Sequence, residues 1–416
     1  MLVYFKIKNF KSIKDEVTVN LKPDKSSDRD HIDSNIVSTN QGELLKTLVF
    51  YGRNASGKSN ILEAFGELKE LVSSSDQYKY GAPISSYKPF KLDTAFITKP
   101  VQFEICFIHN NNIKYIFTIS FENNKIIDET LNAFVNTKSS EIYKRHLDNI
   151  SYGSHYKGEK KEIENDLLSN QLFLSKSAKH KIEHLNQVYS YINEDLSVNF
   201  NADINFDREL INHFSKFLMQ PETKIYLKQL TKLLNAGDTN ITSLKVSELK
   251  SKDNSDINVN FNQLKTAHKM FSEGKSIGET EFDLSEESAG TQKLATLSSF
   301  ILTSLYIGGV CIIDEFDQSL HPLLAKNLIK LFHSKTNNPK NAQLLFATHD
   351  HGLLDFDLFR KDQICFVEKK YEGNTYLYKL SDFKGVPKDI PLDKWYLSGR
   401  FKATPVMGDF ELNDEE

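Results

Sequence analysis

Residues 51–65 read YGRNASGKSNILEAF, with Gly52 and the run Gly57-Lys58-Ser59 at the spacing of a loop that wraps phosphate groups. Glycines at these two places let the backbone curl until its N–H groups face an anion. The helix that follows then presents the positive end of its dipole to the same anion. Lys58 would reach the β- and γ-phosphates, and the Ser59 hydroxyl would ligate magnesium. Asn54 and Asn60 belong to the same expected contact set.

Three later stretches add to this loop. CIIDEFD (311–317) reads as a buried strand that delivers two carboxylates at its end. Asp314 would enter a magnesium shell, and Glu315 would act as general base toward water. FATHD ends another strand in His349, whose imidazole can donate to a γ-phosphate and take part in the same chemistry. SAGTQKL (288–294) is a small polar loop opening a helix, where Ser288 and Gly290 would form an anion-binding N-terminus. Each stretch alone has a plain structural reading: a turn, a strand tip, a structural histidine, a helix cap. Their order along the chain is what selects the chemical one.

The elements that must position these residues are legible in outline. The apolar run KTLVFY enters the loop, and Ile61, Leu62, Phe65, Leu68 and Leu71 leave it at helical spacing. Phe103, Ile105 and Phe107, then Ile113, Tyr115, Phe117, Ile119 and Phe121, alternate as an antiparallel hairpin with one buried face. From 140 to 275 the chain is Asn/Lys-rich and reads as helical. Ile182, Leu185, Tyr189, Ile192 and Leu196 form one stripe; Ile225, Leu230, Leu233 and Leu234 form another, stopped at Gly237. Strands return in GGVCIIDEF, NAQLLFATHD, DQICFVEKK and NTYLYKL. The expected division is therefore 1–139 and 276–416 as two parts of one α/β head, with 140–275 as a helical insertion.

The net charge of −4 over 416 residues argues against a surface devoted to gripping nucleic acid. No apolar run approaches the roughly 20 residues of a membrane helix, so no membrane contact is expected. The three cysteines sit in apolar strand-like contexts and read as buried, reduced thiols, which points to the cytoplasm. His180 and His184 in HKIEH stand one helical turn apart, but no third ligand is apparent, and a solvated helix face is the expectation.

Phosphate loop, long intervening block, Ser-x-Gly loop, Asp-Glu strand and His strand, in that order, resemble the layout of an ABC-type ATPase head, a P-loop NTPase fold. YGRNASGKSNILEAF, SAGTQKL, IIDEFDQSLHP and LLFATHDHGLLD are similar to bacterial ABC-like AAA ATPases of the RloA and abortive-infection type, related to RecF and structural-maintenance (SMC) heads. The resemblance covers both ends of the chain but not 140–275. Ala55 stands where RecF and structural-maintenance loops carry glycine.

The resemblance implies ATP with Mg²⁺, and two copies that sandwich two ATP molecules. In that arrangement the Ser-x-Gly loop of one copy closes on the nucleotide of the other, with Asp317, Ser319 and His321 at the seam. It also implies a separately encoded effector protein, a nuclease, within antiphage defence. The alternative is a RecF-like ATPase of DNA repair that binds DNA. A transporter motor would carry a different Ser-x-Gly signature. A fused nuclease has too little room after His349 and lacks the paired aspartates it would need.

Overall fold

The computed structural model describes residues 1–24, 32–135, 138–199, 218, 224–237, 239–250, 260–318, 320–387 and 390–404. Two large sheets face each other across one helix. The first contains β11 (Leu196–Asn199), β15 (Val310–Ile313), β16 (Gln343–Ala347), β5 (Thr47–Tyr51), β17 (Ile364–Lys369) and β18 (Thr375–Lys379), in that spatial order. Its pairings are parallel from β11 through to β17, and β18 closes the edge antiparallel. Every residue of β5, β15 and β16 is buried, as parallel strands covered on both faces must be.

The second sheet is antiparallel, ordered β10 (Asn149–Tyr152), β9 (Lys138–His146), β8 (Lys125–Val135), β7 (Lys114–Glu122), β6 (Val101–Ile108), β1 (Leu2–Lys8), β2 (Val17–Asn20). The hairpin read from the alternation in 101–121 is β6–β7, and it sits in the middle of this larger meander.

Helix α2 (Lys58–Ser74) lies between the sheets; a short α1 (Ile32–Asn35) precedes it. Its stripe of Ile61, Leu62, Phe65, Leu68 and Leu71 is buried, and the Phe65 ring packs 4.2 Å from that of Phe5 in β1. One core thus runs from Phe5, Phe103 and Phe117 through α2 to Leu48 and Phe50. The Gln343 side chain stitches the two sheets. It accepts from the Leu2 N–H at 2.6 Å and donates to the Leu2 and Leu45 carbonyls at 3.0 Å each. The opposite face of the parallel sheet (Val49, Ile313, Phe346, Phe366) is covered by helices at Ala289–Ile307, Pro322–His333 and Leu392–Leu397.

Residues 140–275 contain α3 (Lys161–Asn165), α4 (Phe173–Ser177), α5 (Glu183–Ser190) and α6 (Lys224–Ala236), of which α5 and α6 fall on the two stripes read from the sequence. The long helices that follow are α7 (Ala289–Ile307) and α8 (Pro322–His333), then α9 (Leu392–Leu397). The block also carries strands that helical periodicity did not announce. β9 and β10 extend the antiparallel sheet, and β11 joins the parallel one. β12 (Ile241–Lys250), β13 (Asn260–Ser272) and β14 (Lys275–Asp283) form a separate three-stranded antiparallel sheet. Leu196 fits the stripe read for the first helix, but α5 ends at Ser190 and a wider turn follows before Leu196 opens β11. The architecture is α/β: β5, the 52–57 loop and α2 form the strand–loop–helix unit of a P-loop fold, beside an antiparallel β subdomain.

All three cysteines are buried free thiols, and burial pushes each up to about 12. His184 lies in α5 with its ring nitrogen 2.9 Å from the Tyr115 hydroxyl, whereas His180 precedes the helix. Among the described residues no cluster of three or more His, Cys, Asp or Glu could hold a metal ion, and no helix is long and apolar enough to cross a membrane.

Candidate functional site

Adjacent strands β15, β16 and β5 run parallel, so their C-terminal ends open on one edge of the sheet, where open α/β sheets bind ligands. β5 feeds the 52–57 loop, β15 feeds Asp314 and Glu315, and β16 feeds Thr348 and His349. Three stretches far apart in the chain thereby meet.

The loop curls as glycine spacing requires. Gly57 takes φ +109° as the cap of α2, and a Cβ there would lie 2.2 Å from the Thr375 hydroxyl. A Cβ on Gly52 would lie 2.3 Å from the Val367 carbonyl. Ala55 sits at φ +60°, a left-handed conformation, which accounts physically for glycine being the easier residue at that place.

Lys58 is buried, and its ammonium donates back to the carbonyls of Gly52 (2.7 Å) and Arg53 (3.3 Å). Burial lowers it to about 8, against the opposing pull of Asp314, Asp317 and Glu315. Asn54 and Ser59 are exposed at the loop and the first turn. Asn60 is engaged elsewhere: its amide donates to the Ser12 hydroxyl at 2.6 Å.

Ser12 belongs to a brace that the sequence reading missed. Its hydroxyl is 2.7 Å from that of Thr375, which donates to the Ser56 carbonyl at 2.9 Å. With Asn60 donating to Ser12, the hydrogen bonds run in one direction, from α2 through Ser12 and Thr375 back to the loop. Arg53 adds a second tie, donating to the Lys369 carbonyl at 2.7 Å. Nothing local in the sequence marks Ser12 or Thr375, which join the loop only through the fold.

Asp314 is buried, and its carboxylate accepts the Glu315 N–H at 3.1 Å. Glu315 is exposed at φ +48°, a left-handed conformation that costs about 1–3 kcal/mol in a non-glycine residue and recurs where function holds the backbone. Phe316 ties this turn to β16 through the Ala347 carbonyl at 3.0 Å. Asp317 accepts the backbone N–H of His349 at 3.2 Å within the same chain. The His349 imidazole is exposed, yet partial desolvation and the nearby Lys58 charge hold it below its usual value. His321 caps α8, accepting from the Leu323 N–H at 3.3 Å; Ser319 lies outside the described residues.

Ser288 caps α7, its hydroxyl accepting from the Thr291 N–H at 3.2 Å, and Gly290 follows in the first turn. Lys293, a residue the sequence reading passed over, lies one turn further on. Its ammonium is lowered by burial and held up by Glu315, Asp317 and Asp314, which brings the start of α7 into the field of the carboxylate edge.

The fold and the site suit an ion such as magnesium with a nucleotide. An exposed hydroxyl (Ser59) and a buried carboxylate (Asp314) supply hard oxygen donors, and a curled loop supplies N–H groups.

Among solved structures, an Smc head bound to the C-winged helix domain of ScpA is similar at 13% identity and TM-score 0.48, over 91% of this chain and 97% of that one. The SMC head domain from Thermotoga maritima is similar at 12% identity and TM-score 0.38, over 91% and 98%. The recombination mediator RecF with ATP, of the RecFOR pathway, is similar at 14% identity and TM-score 0.39, over 91% and 99%. No curated protein matches the chain. The profile of one family spans residues 48–355, more than half of the sequence, from within β5 to past His349. The chain accordingly belongs to the family described as "AAA domain, putative AbiEii toxin, Type IV TA system".

Proposed function

We propose that this chain is an ATP-hydrolysing switch in which two copies close on two ATP molecules and control a separately encoded effector protein. The observation that carries the reading is the shared edge of β5, β15 and β16, which brings Lys58, Asp314, Glu315 and His349 together. The loop N–H groups of 52–57 and Lys58 hold the phosphates. Ser59 and Asp314 would hold magnesium, which neutralises phosphate charge when bound. Glu315 takes the proton of the attacking water, and His349 donates to the γ-phosphate. Ser288 and Gly290, at the exposed start of α7, contact the nucleotide of the second copy.

Glu315→Gln removes the base and keeps the shape. It is expected to bind ATP normally, to lose turnover by about 10²–10⁴-fold, and to accumulate as an ATP-dependent dimer in light scattering. Ser288→Arg is expected to keep ATP binding by the single head while losing both dimer and turnover. A Glu315→Gln chain that neither traps a dimer nor slows hydrolysis would overturn the reading.

The words "toxin" and "TA system" in the family description suit a chain that works with a second protein, here read as a nuclease in antiphage defence. Co-purification with the product of the adjacent gene should yield a complex whose amount changes with ATP. An equal yield with and without ATP would remove the switch from this account.

A further inference from the structure

The segment between β14 and α7, which ends in Ser288, has little slack. Asp283 opens a short turn closed by its own N–H to the Glu286 carboxylate at 2.7 Å. The Gln292 amide reaches back from α7 to the carbonyls of Glu287 (2.7 Å) and Ser285 (3.2 Å). The residue directly before Ser288 is Glu287, and its side chain turns the other way, onto β13. There it meets the His268 ring nitrogen at 2.7 Å and accepts from the Thr266 hydroxyl. The Glu287 side chain is 11% exposed and that of His268 is 21% exposed, so both groups are largely shielded from water. The His268 ring is further fixed edge-on against Phe282 of β14.

We propose that Thr266 and His268 are positioning residues for Ser288, acting through Glu287. In this way the β12–β14 sheet sets the place from which the Ser288 loop meets the nucleotide of a second copy. The proposal rests on the two-copy reading above. β13 and β14 form a hairpin whose tip stands in solvent, with Phe271 60% and Ile277 57% exposed, and β14 is exposed along most of its length. Displacement of that hairpin would therefore be transmitted to Glu287 through the Thr266 and His268 side chains that hold it. A charge-assisted hydrogen bond shielded from water is strong enough to carry such a link.

The test compares Glu287→Ala with Glu287→Gln, which keeps an acceptor for Thr266 and His268. In the ATP-free chain, amide hydrogen exchange across 284–292 should quicken about tenfold in the alanine variant and stay near the wild-type rate in the glutamine variant. ATP affinity of the single head should be unchanged in both. Turnover should fall about tenfold in the alanine variant alone, through a lower yield of ATP-dependent dimer. His268→Ala should follow Glu287→Ala. Unchanged exchange in Glu287→Ala, or full turnover with a loosened loop, would overturn the proposal. A wild-type chain that forms no ATP-dependent dimer would instead defeat the two-copy reading, and the exchange rates would still decide whether the clamp exists.

Discussion

A chain carrying Lys58→Ala is expected to lose affinity for ATP by about 100-fold or more, because the substitution removes the buried ammonium of the 52–57 loop and with it a charge-assisted contact to phosphate. In the free head the Lys58 ammonium is held by the Gly52 and Arg53 carbonyls, so phosphate oxygens would take over contacts that already exist. The fold should survive the substitution, since burying this ammonium is unfavourable in the free head, as its lowered value of about 8 reports. Contact with phosphate favours the charged form and raises that value. Above pH 8 the free head loses the proton that the bound head retains. Affinity should then fall by up to about tenfold per pH unit, with proton uptake on binding near pH 9. Calorimetry in buffers of different ionisation enthalpy measures both. Unchanged affinity in Lys58→Ala would remove the loop from the site.

The second large effect concerns stability. Glu129 on β8 and Arg145 on β9 are both buried, 3.6 Å apart. The Glu129 carboxylate accepts from Tyr143 O–H at 2.7 Å and from the Phe173 and Leu174 N–H groups at 2.8 Å, which start α4. Arg145 donates to the carbonyls of Leu147 (2.7 Å) and Gln171 (2.6 Å). The pair thus binds the antiparallel sheet to the segment that follows it. Arg145→Ala would strand a buried carboxylate and should cost about 3–5 kcal/mol in chemical denaturation. Replacing both partners by apolar residues, Glu129→Leu with Arg145→Met, removes the stranded charge but leaves the Tyr143 hydroxyl and the Phe173 and Leu174 N–H groups without their acceptor, so it should recover only part of that loss. A loss below about 1 kcal/mol for Arg145→Ala would mean that water reaches the pair.

What could be read from the chain alone follows a physical divide. β5, α2 and the β6–β7 hairpin carry enough apolar residues at one period to declare themselves, and the burial of Ile61, Leu62, Phe65, Phe103 and Phe117 agrees with that reading. The loop, carboxylate strand and histidine strand were legible because each couples a polar signature to a buried strand. β12–β14 were not: β14 is almost wholly exposed and is held by ladder hydrogen bonds and ion pairs such as Lys245–Glu281, so burial leaves no pattern in it. β11 was misleading for another reason. Its four residues gain their partner only at β15, more than a hundred positions later, and local spacing carries no trace of that. The Ser12–Thr375 brace and the Glu287 clamp belong to the same class, being contacts between segments that the fold alone makes neighbours.

The order of strands in the parallel sheet has a consequence for synthesis of the protein. β5 leaves the ribosome among the first 51 residues, yet both of its neighbours, β16 and β17, begin at residues 343 and 364. At about 5–20 residues per second, this strand, buried along its whole length in the finished fold, waits roughly 15–60 s before a partner exists. During that interval the antiparallel meander and α2 are complete and can shelter one of its faces, while the other has no cover until α7 and α8 emerge. A nascent chain stalled in its middle third would therefore present a sticky edge, and its yield in the cell should depend on holding chaperones far more than its length alone would suggest.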